Sequence, residues 1–298
     1  MRSNRVRSLA VAEHIAATIS LAEPPTRVVD LIAGVMIIEH SFTPDEAAEF
    51  AEQRLDGVKR GLESILDVAT PSGTFARFAF NSSSDEHLQG SCFVPPEEEG
   101  TPIADAKRRR LDFDEYGAFL RGLNWRQFEA CCRGILALLG CKDPRLTASA
   151  NDQGIDFFGR LSLEGRLDIS SHLPSPDRRL EVWMVGQAKH YSKTRVSTPD
   201  LRELVGSVEL ARTGAVADDG RALQGFEPRV CDPVFYLFLT TGSISADGLR
   251  LLAASGVVGL DTGHIATLLT DAGIGLRDGD FDATAALAWV DSNLNSPS

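Results

Sequence analysis

The second half of the chain constrains the fold most, because short strand-like segments alternate there with helical ones. The strand-like segments are rich in β-branched and aromatic residues and cover residues 154–163, 180–191 and 232–242. Helical patterns occupy residues 125–139, 198–214 and 245–256. Strands interleaved with helices pack as a sheet that helices cover. The sequence therefore predicts an α/β domain with a mixed sheet.

The first part of the chain has a mainly helical pattern instead. Thr43 is a good N-cap, Pro44 suits the first helical position, and apolar residues follow at helical spacing until about Val68. Residues 74–80 alternate like a strand, and the polar stretch 81–90 is typical of a loop. We therefore predict a helical domain that carries one short strand.

A change of composition marks the expected domain boundary. The segment 94–110 is rich in Pro, Gly and charged residues, which is typical of linkers. Its basic run, Lys107 to Arg110, is flanked by acidic residues, which favours a charge-balanced linker over a nucleic-acid patch. We predict a mainly α-helical N-terminal domain over residues 1–110, ending in this charged linker, and a second domain over 111–298.

The composition is that of an acidic globular protein. The chain has 298 residues, with 30 Lys and Arg against 42 Asp and Glu, for a formal charge of -12. That balance argues against a general nucleic-acid coat protein, but not against an enzyme that collects carboxylates around a metal ion. The sequence contains no Walker A loop, dinucleotide-binding glycine pattern, HExxH or GxSxG motif. The five cysteines form no CxxC pair, which favours a reduced, cytoplasmic setting, and no apolar run is long enough to predict a membrane span.

Four polar residues of the second domain can be brought together by the predicted sheet. Asp156 follows a Gly turn at the start of one strand, and Gln187 and Lys189 lie two apart on the next one. Residues two apart on a strand share a face. Glu129 lies on the helix over 125–139, next to its buried face. Carboxylate, amide and lysine groups arranged in this way suit metal-assisted hydrolysis of a phosphodiester.

Magnesium is the metal that these groups fit. Mg²⁺ prefers oxygen ligands and usually takes one or two carboxylates, with waters and substrate phosphate completing its shell. Asp156 is the predicted main ligand, with the Gln187 side-chain oxygen and the Ala188 backbone carbonyl beside it. Lys189 is expected to position the attacking water or to stabilise charge that develops on the phosphate. Glu129 is expected to bind the metal through water or to hold a neighbouring group.

Four sequence blocks carry a family resemblance. In chain order they are LNWRQFEACCRGILALLGC, NDQGIDFFGRL, GQAKHYSKTRVSTPDLRELVGSV and FLTTGSISADGLRLLAASGVVGLDTGHIATLL. Together they resemble the Mrr-type restriction endonuclease domain of the PD-(D/E)XK nuclease superfamily, over about residues 120–276. The resemblance implies a restriction-endonuclease-like mixed sheet flanked by helices. By motif, it assigns catalytic positions to Asp156, Gln187, Lys189 and Glu129, with QxK in place of ExK.

The resemblance also implies an activity and partners. It implies a Mg²⁺-dependent endodeoxyribonuclease, with Mn²⁺ as a substitute, that cuts double-stranded DNA as a homo-oligomer in restriction of foreign or modified DNA and anti-phage defence. Two other classes remain open. One is a nuclease effector that a partner or signal activates through the N-terminal domain; the other is a non-catalytic DNA-binding module of the same fold. Intact Asp156, Gln187 and Lys189 favour an enzyme over the second.

The segment between the two site strands departs from the family pattern. Asp156 and Gln187 are 31 positions apart, and the excess holds ISSHLPSPDRR, which is typical of an inserted loop. Arg178 and Arg179 at its end either reach DNA or only decorate the fold. Lys193 and Arg195, just after the QxK strand, are better candidates for contacts with DNA phosphates than the basic run Lys107 to Arg110.

Overall fold

The computed structural model describes residues 6–81, 83–147, 154–164, 180–191, 195–196, 198–212 and 225–294. The chain divides into two compact units, Met1–Asp112 and Phe113–Ser298. The division lies close to the domain boundary expected near residue 110. Among the described residues, no helix combines the length and the apolar character that a membrane span requires.

The first unit is mainly helical. Its helices are α1 (Ser8–Thr18), α2 (Val28–His40), α3 (Pro44–Ser72) and α4 (Pro102–Arg109). The start of α3 agrees with the sequence prediction, because Thr43 and Glu46 form a reciprocal capping box and Pro44 follows. The helix continues to Ser72, about one turn past the predicted end, and stops where Gly73 adopts a φ of 70°. α1, α2 and α3 share one apolar core, which includes Val11, Ile32, Phe50 and Leu62.

The structure differs from two sequence predictions in this unit. The stretch 81–90 is not simply a loop, because β3 (Ser84–Gly90) pairs with β2 (Phe78–Asn81) on one side and β1 (Thr26–Arg27) on the other. Pairing with two neighbours stabilises a strand whose own residues are polar.

The second difference concerns the segment 94–110, which contains α4. Thr101 caps this helix by accepting a hydrogen bond from the backbone N–H of Ala104, and Pro102 occupies the first turn. The basic run therefore lies in a helix and its end. Lys107 Nζ lies 2.6 Å from Glu98 Oε2, so this charge is balanced within the unit, as the acidic flanks suggest.

A five-stranded mixed sheet forms the centre of the second unit, which confirms the predicted α/β architecture. Its strands are β4 (Cys141–Leu146), β5 (Phe157–Ser162), β6 (Glu181–Lys189), β8 (Val234–Thr240) and β10 (Val258–Leu260), in the order β10-β8-β6-β5-β4. β4, β5 and β6 are antiparallel neighbours, whereas β6, β8 and β10 run parallel. The shorter strands form two pairs, β7 (Arg195–Val196) with β9 (Ser243–Ile244), and β11 (Leu276–Arg277) with β12 (Asp280–Phe281).

Helices cover both faces of the sheet. They are α5 (Phe113–Gly122), α6 (Trp125–Leu138), α7 (Thr198–Arg212), α8 (Ala246–Ser255), α9 (Thr262–Asp271) and α10 (Ala283–Leu294). Alternate residues of each strand enter two separate cores: Phe157 packs with α6, and Phe158 packs with α7. The predicted apolar face of α6 is buried, with Phe128, Cys132 and Ile135 at most 1% exposed. A polar region thus lies at one end of these strands, between the two layers of helices, where β5 begins and β6 ends.

Candidate active site

Asp156 lies at the start of β5, next to the end of β6. The Asp156 backbone N–H donates to the Gly186 carbonyl at 2.9 Å, and one carboxylate oxygen, Oδ2, accepts from the Ala188 N–H at 2.6 Å. Gly154 precedes it with a φ of 79°, a conformation that glycine adopts without strain. The Asp156 side chain therefore reaches across to β6 and is held there, only 6% exposed.

Gln187 and Lys189 lie next to this carboxylate on β6. They oppose Phe238 and Thr240 of β8, so both are on the sheet face that α7 covers, as their spacing predicts. Gln187 is 2% exposed, and its Oε1 atom is buried without a hydrogen-bond partner among the described residues. A buried amide oxygen with no partner is costly, since folding has removed its water. Such an atom is a candidate ligand for a bound ion.

The oxygen atoms at this edge fit a magnesium ion. The N–H and C=O of one strand residue point to the same side of the strand. Since Ala188 N–H donates to Asp156, the Ala188 carbonyl also faces that side. A carboxylate, an amide oxygen and a backbone carbonyl are hard ligands of the type that Mg²⁺ takes. In the described part of the chain, no three His, Cys, Asp or Glu side chains cluster as metal ligands.

Glu129 approaches from α6, on the other layer of helices. An Asn124–Gln127 capping box starts this helix, and Glu129 Oε2 lies 2.7 Å from Arg126 Nη1. Burial raises the pKa of the Cys132 thiol well above its ordinary value, and the charges of Asp156 and Glu129 raise it further. The Glu129 side chain is only 12% exposed.

The predicted DNA contacts lie largely outside the described residues. Arg178, Arg179 and Lys193 are not among them. Arg195 is placed by its backbone in β7, where it pairs with Ser243 of β9. The assignment of these four residues to DNA binding stays a prediction.

The sequence reasoning missed two residues of α7 that line the same edge. Lys189 Nζ lies 3.5 Å from Glu203 Oε2. A side chain at Gly154 would place its Cβ 2.7 Å from Ser207 Oγ and 3.5 Å from both Glu203 Cγ and Gln187 Nε2. Glu203 and Ser207 are one helical turn apart, so they form a polar strip on α7. This strip runs beside the buried apolar residues Leu204 and Val208. That helical spacing was the available signal, but it does not reveal which strand the polar face meets.

Comparisons with known proteins give one family match and three similar solved structures. Residues 120–217 match the family model Mrr_cat, described as restriction endonuclease. No curated protein matches the chain. Three solved structures are similar at low TM-scores, and the chain spans less than half of the length of each.

The solved structures are all restriction endonucleases. AspBHI, a DNA modification-dependent restriction endonuclease, is 20% identical with a TM-score of 0.39, over 72% of this chain and 46% of its own. MspJI in complex with a 27-mer oligonucleotide is 19% identical with a TM-score of 0.36, over 66% and 38%. FokI bound to DNA is 12% identical with a TM-score of 0.35, over 89% and 44%. The family match over residues 120–217 includes Glu129, Asp156, Gln187 and Lys189.

Proposed function

We propose that this protein is a metal-dependent endodeoxyribonuclease that hydrolyses phosphodiester bonds of double-stranded DNA. The observation that carries the proposal is the buried, unpartnered Oε1 of Gln187 next to the Asp156 carboxylate, with Lys189 on the same strand. A lysine beside an oxygen-lined cation site is an arrangement that suits metal-assisted hydrolysis of a phosphodiester. The match to a restriction endonuclease family supports a DNA nuclease.

Each site residue has a role that follows from its position. Asp156, Gln187 and the Ala188 carbonyl would hold Mg²⁺, or Mn²⁺ in its place. When bound, the ion supplies charge stabilisation at the scissile phosphate and an activated water. The Ala188 N–H donates to one oxygen of the Asp156 carboxylate and so orients it. Lys189 positions the attacking water and stabilises the negative charge that develops on the phosphate.

Glu129 contributes from α6 without belonging to the strand pair. Its ion pair with Arg126 and its low exposure hold the carboxylate in one orientation. From there it would hold the metal through water, or would hold a group that contacts the metal.

DNA binding must depend on local cations, because the chain as a whole is acidic. We assign phosphate contacts to Lys193 and Arg195, just after the QxK strand, and to Arg178 and Arg179 in the inserted segment. We expect a homo-oligomer because cutting both strands of a duplex would take two active sites. The first unit would recognise the target DNA or an activating partner, and restriction or anti-phage defence in the cytoplasm is the corresponding biological role.

Plasmid cleavage tests the proposal directly. We expect wild-type protein to cut in Mg²⁺ and to stop in EDTA, while Asp156→Asn and Lys189→Gln do not cut in Mg²⁺. Lys142→Gln is the matched control, since it removes the same charge from a side chain that is 63% exposed on β4. Methylated and unmethylated plasmids run in parallel would reveal dependence on modification. Cutting that persists in EDTA, or in either site variant, would contradict the proposal.

A further inference from the structure

The first half of α7 meets the end of β6 through polar contacts. Lys189 Nζ lies 3.5 Å from Glu203 Oε2, and Tyr191 donates its hydroxyl hydrogen bond to Asp200 Oδ1 at 3.2 Å. Asp200 and Glu203 are three positions apart, so they lie on one side of the helix. Lys189 and Tyr191, at and just after the end of β6, thus each contact one carboxylate of α7.

The geometry points to Glu203 as a positioning residue that holds the Lys189 ammonium group at the edge of the active site. This inference rests on the nuclease function proposed above, because it assigns Glu203 a role through Lys189. Glu203 itself is not a ligand of the metal or of DNA in this scheme.

The exposure of the Lys189–Glu203 pair indicates that it orients the lysine rather than stabilises the fold. The side chains are 25% exposed for Lys189 and 54% exposed for Glu203. Exposed ion pairs contribute little to folding, because water screens them and the side chains lose freedom. A lysine stem has four carbons and many rotamers, whereas catalysis needs its ammonium group in one place. A carboxylate within reach restricts those rotamers before substrate arrives.

The surroundings of Gly154 explain why the helix can come so close. A Cβ at this position would lie 2.7 Å from Ser207 Oγ and 3.5 Å from Glu203 Cγ. A Cβ there would require Ser207 Oγ to move, and the φ of 79° would strain a residue other than glycine. The absence of a side chain at Gly154 therefore allows Glu203 and Ser207 of α7 to lie close to the turn before Asp156 and to Gln187 of β6.

The experiment compares Glu203→Gln with Glu203→Asp and with a matched control, Glu209→Gln. Glu209 lies on the same helix but contacts the Tyr236 hydroxyl, and Tyr236 opposes Val185 rather than Lys189. The first readout is acetylation of Lys189 by an N-hydroxysuccinimide ester in the metal-free full chain, measured by mass spectrometry with Lys142 as internal reference. We expect labelling of Lys189 to rise several-fold in Glu203→Gln, less in Glu203→Asp and not at all in Glu209→Gln.

The second readout is steady-state DNA cleavage in Mg²⁺. Glu203→Gln should lower kcat about tenfold, which is about 1.4 kcal/mol, with KM unchanged or lower because a negative charge near the DNA is gone. Glu203→Asp should recover most of kcat, and thermal unfolding should be the same for all variants. Unchanged labelling of Lys189 in Glu203→Gln would overturn the inference, as would an unchanged kcat. If wild-type protein cuts no DNA, the proposed function fails, while the labelling still decides whether Glu203 holds Lys189.

Discussion

Asp156 Oδ2 accepts a hydrogen bond of 2.6 Å from the backbone N–H of Ala188, across the boundary between β5 and β6. This bond continues the strand pairing with a side chain where the backbone ladder stops. It also holds the carboxylate against β6 at Ala188, between the strand positions of Gln187 and Lys189. One residue therefore combines a structural contact with the position that we propose for a metal ligand.

This double role predicts different outcomes for two substitutions of Asp156. Asp156→Asn keeps an acceptor oxygen for the Ala188 N–H, so the free energy of unfolding should change little. Asp156→Ala leaves that N–H without its partner, and should lower the free energy of unfolding by about 1–3 kcal/mol. Cleavage should fall at least about 100-fold in both variants, by analogy with the loss of metal-site groups. Urea unfolding and plasmid cleavage measure the two effects, and equal stability of the variants would refute the structural part.

Replacing Gln187 should weaken metal binding without lowering stability. Its Oε1 is buried without a partner among the described residues, so Gln187→Leu removes an unsatisfied polar atom. We expect the variant to be as stable as wild type or more stable, by about 1 kcal/mol. Mg²⁺ or Mn²⁺ binding, measured by titration calorimetry, should weaken. A variant that binds the ion with wild-type affinity would remove Gln187 from the ligand set.

The cysteines should differ sharply in their reactivity. Burial raises the pKa of Cys131 to about 12 and that of Cys141 to about 11, and it raises the pKa of Cys132 as well. The thiolate is the reactive form, so these buried thiols should be inert at pH 8. Cys231 is the exposed cysteine. Ellman's reagent should therefore titrate about one thiol rapidly in native protein and all five after denaturation. Rapid reaction of several thiols would show that the α6 core is open.

Asp261 should make stability depend on acidic pH. Burial opposes ionisation of this side chain, but hydrogen bonds from His264 and the backbone N–H groups of Gly263 and His264 outweigh it and lower its pKa. A carboxyl whose pKa is lowered by folding stabilises the native state above its unfolded pKa of about 3.9. That contribution is lost as pH falls through the folded pKa.

Asp261→Asn tests this dependence, because it keeps an oxygen for the N-cap of α9 but removes the charge. The variant should be less stable than wild type at pH 7, by about 1 kcal/mol. The difference should shrink as the pH falls below the unfolded pKa of about 3.9 and through the lowered pKa of the wild-type carboxyl. Chemical denaturation at several pH values measures it. A difference that does not shrink as the pH falls would show that charge is not the cause.

Local features were predictable from the sequence because their causes are local. The start of α3 depends on Thr43, Pro44 and Glu46, which are adjacent or three apart. The buried face of α6 follows from apolar residues at helical spacing. The shared face of Gln187 and Lys189 follows from the two-residue period of a strand. In each case, the physical interaction spans no more than a turn of helix or a few residues of strand.

Other features depended on contacts between distant residues. Ser84–Gly90 is polar, and it becomes a strand because β1 and β2 pair with it on both sides. The segment 94–110 has the composition of a linker, but Thr101 and Pro102 start a helix there and Glu98 neutralises Lys107. Composition alone does not distinguish these cases, since hydrogen bonds and ion pairs decide them.

The sequence by itself determined the mixed α/β character of the second half, the helical character of the first, and the candidate residues Asp156, Gln187 and Lys189. These depend on periodicity and on short motifs. Only the tertiary structure decided that the Ala188 N–H holds the Asp156 carboxylate, that Gln187 Oε1 is buried without a partner among the described residues, and that Glu203 reaches Lys189. Those relations come from strand register and from the packing of α7 on the sheet, which no local pattern specifies.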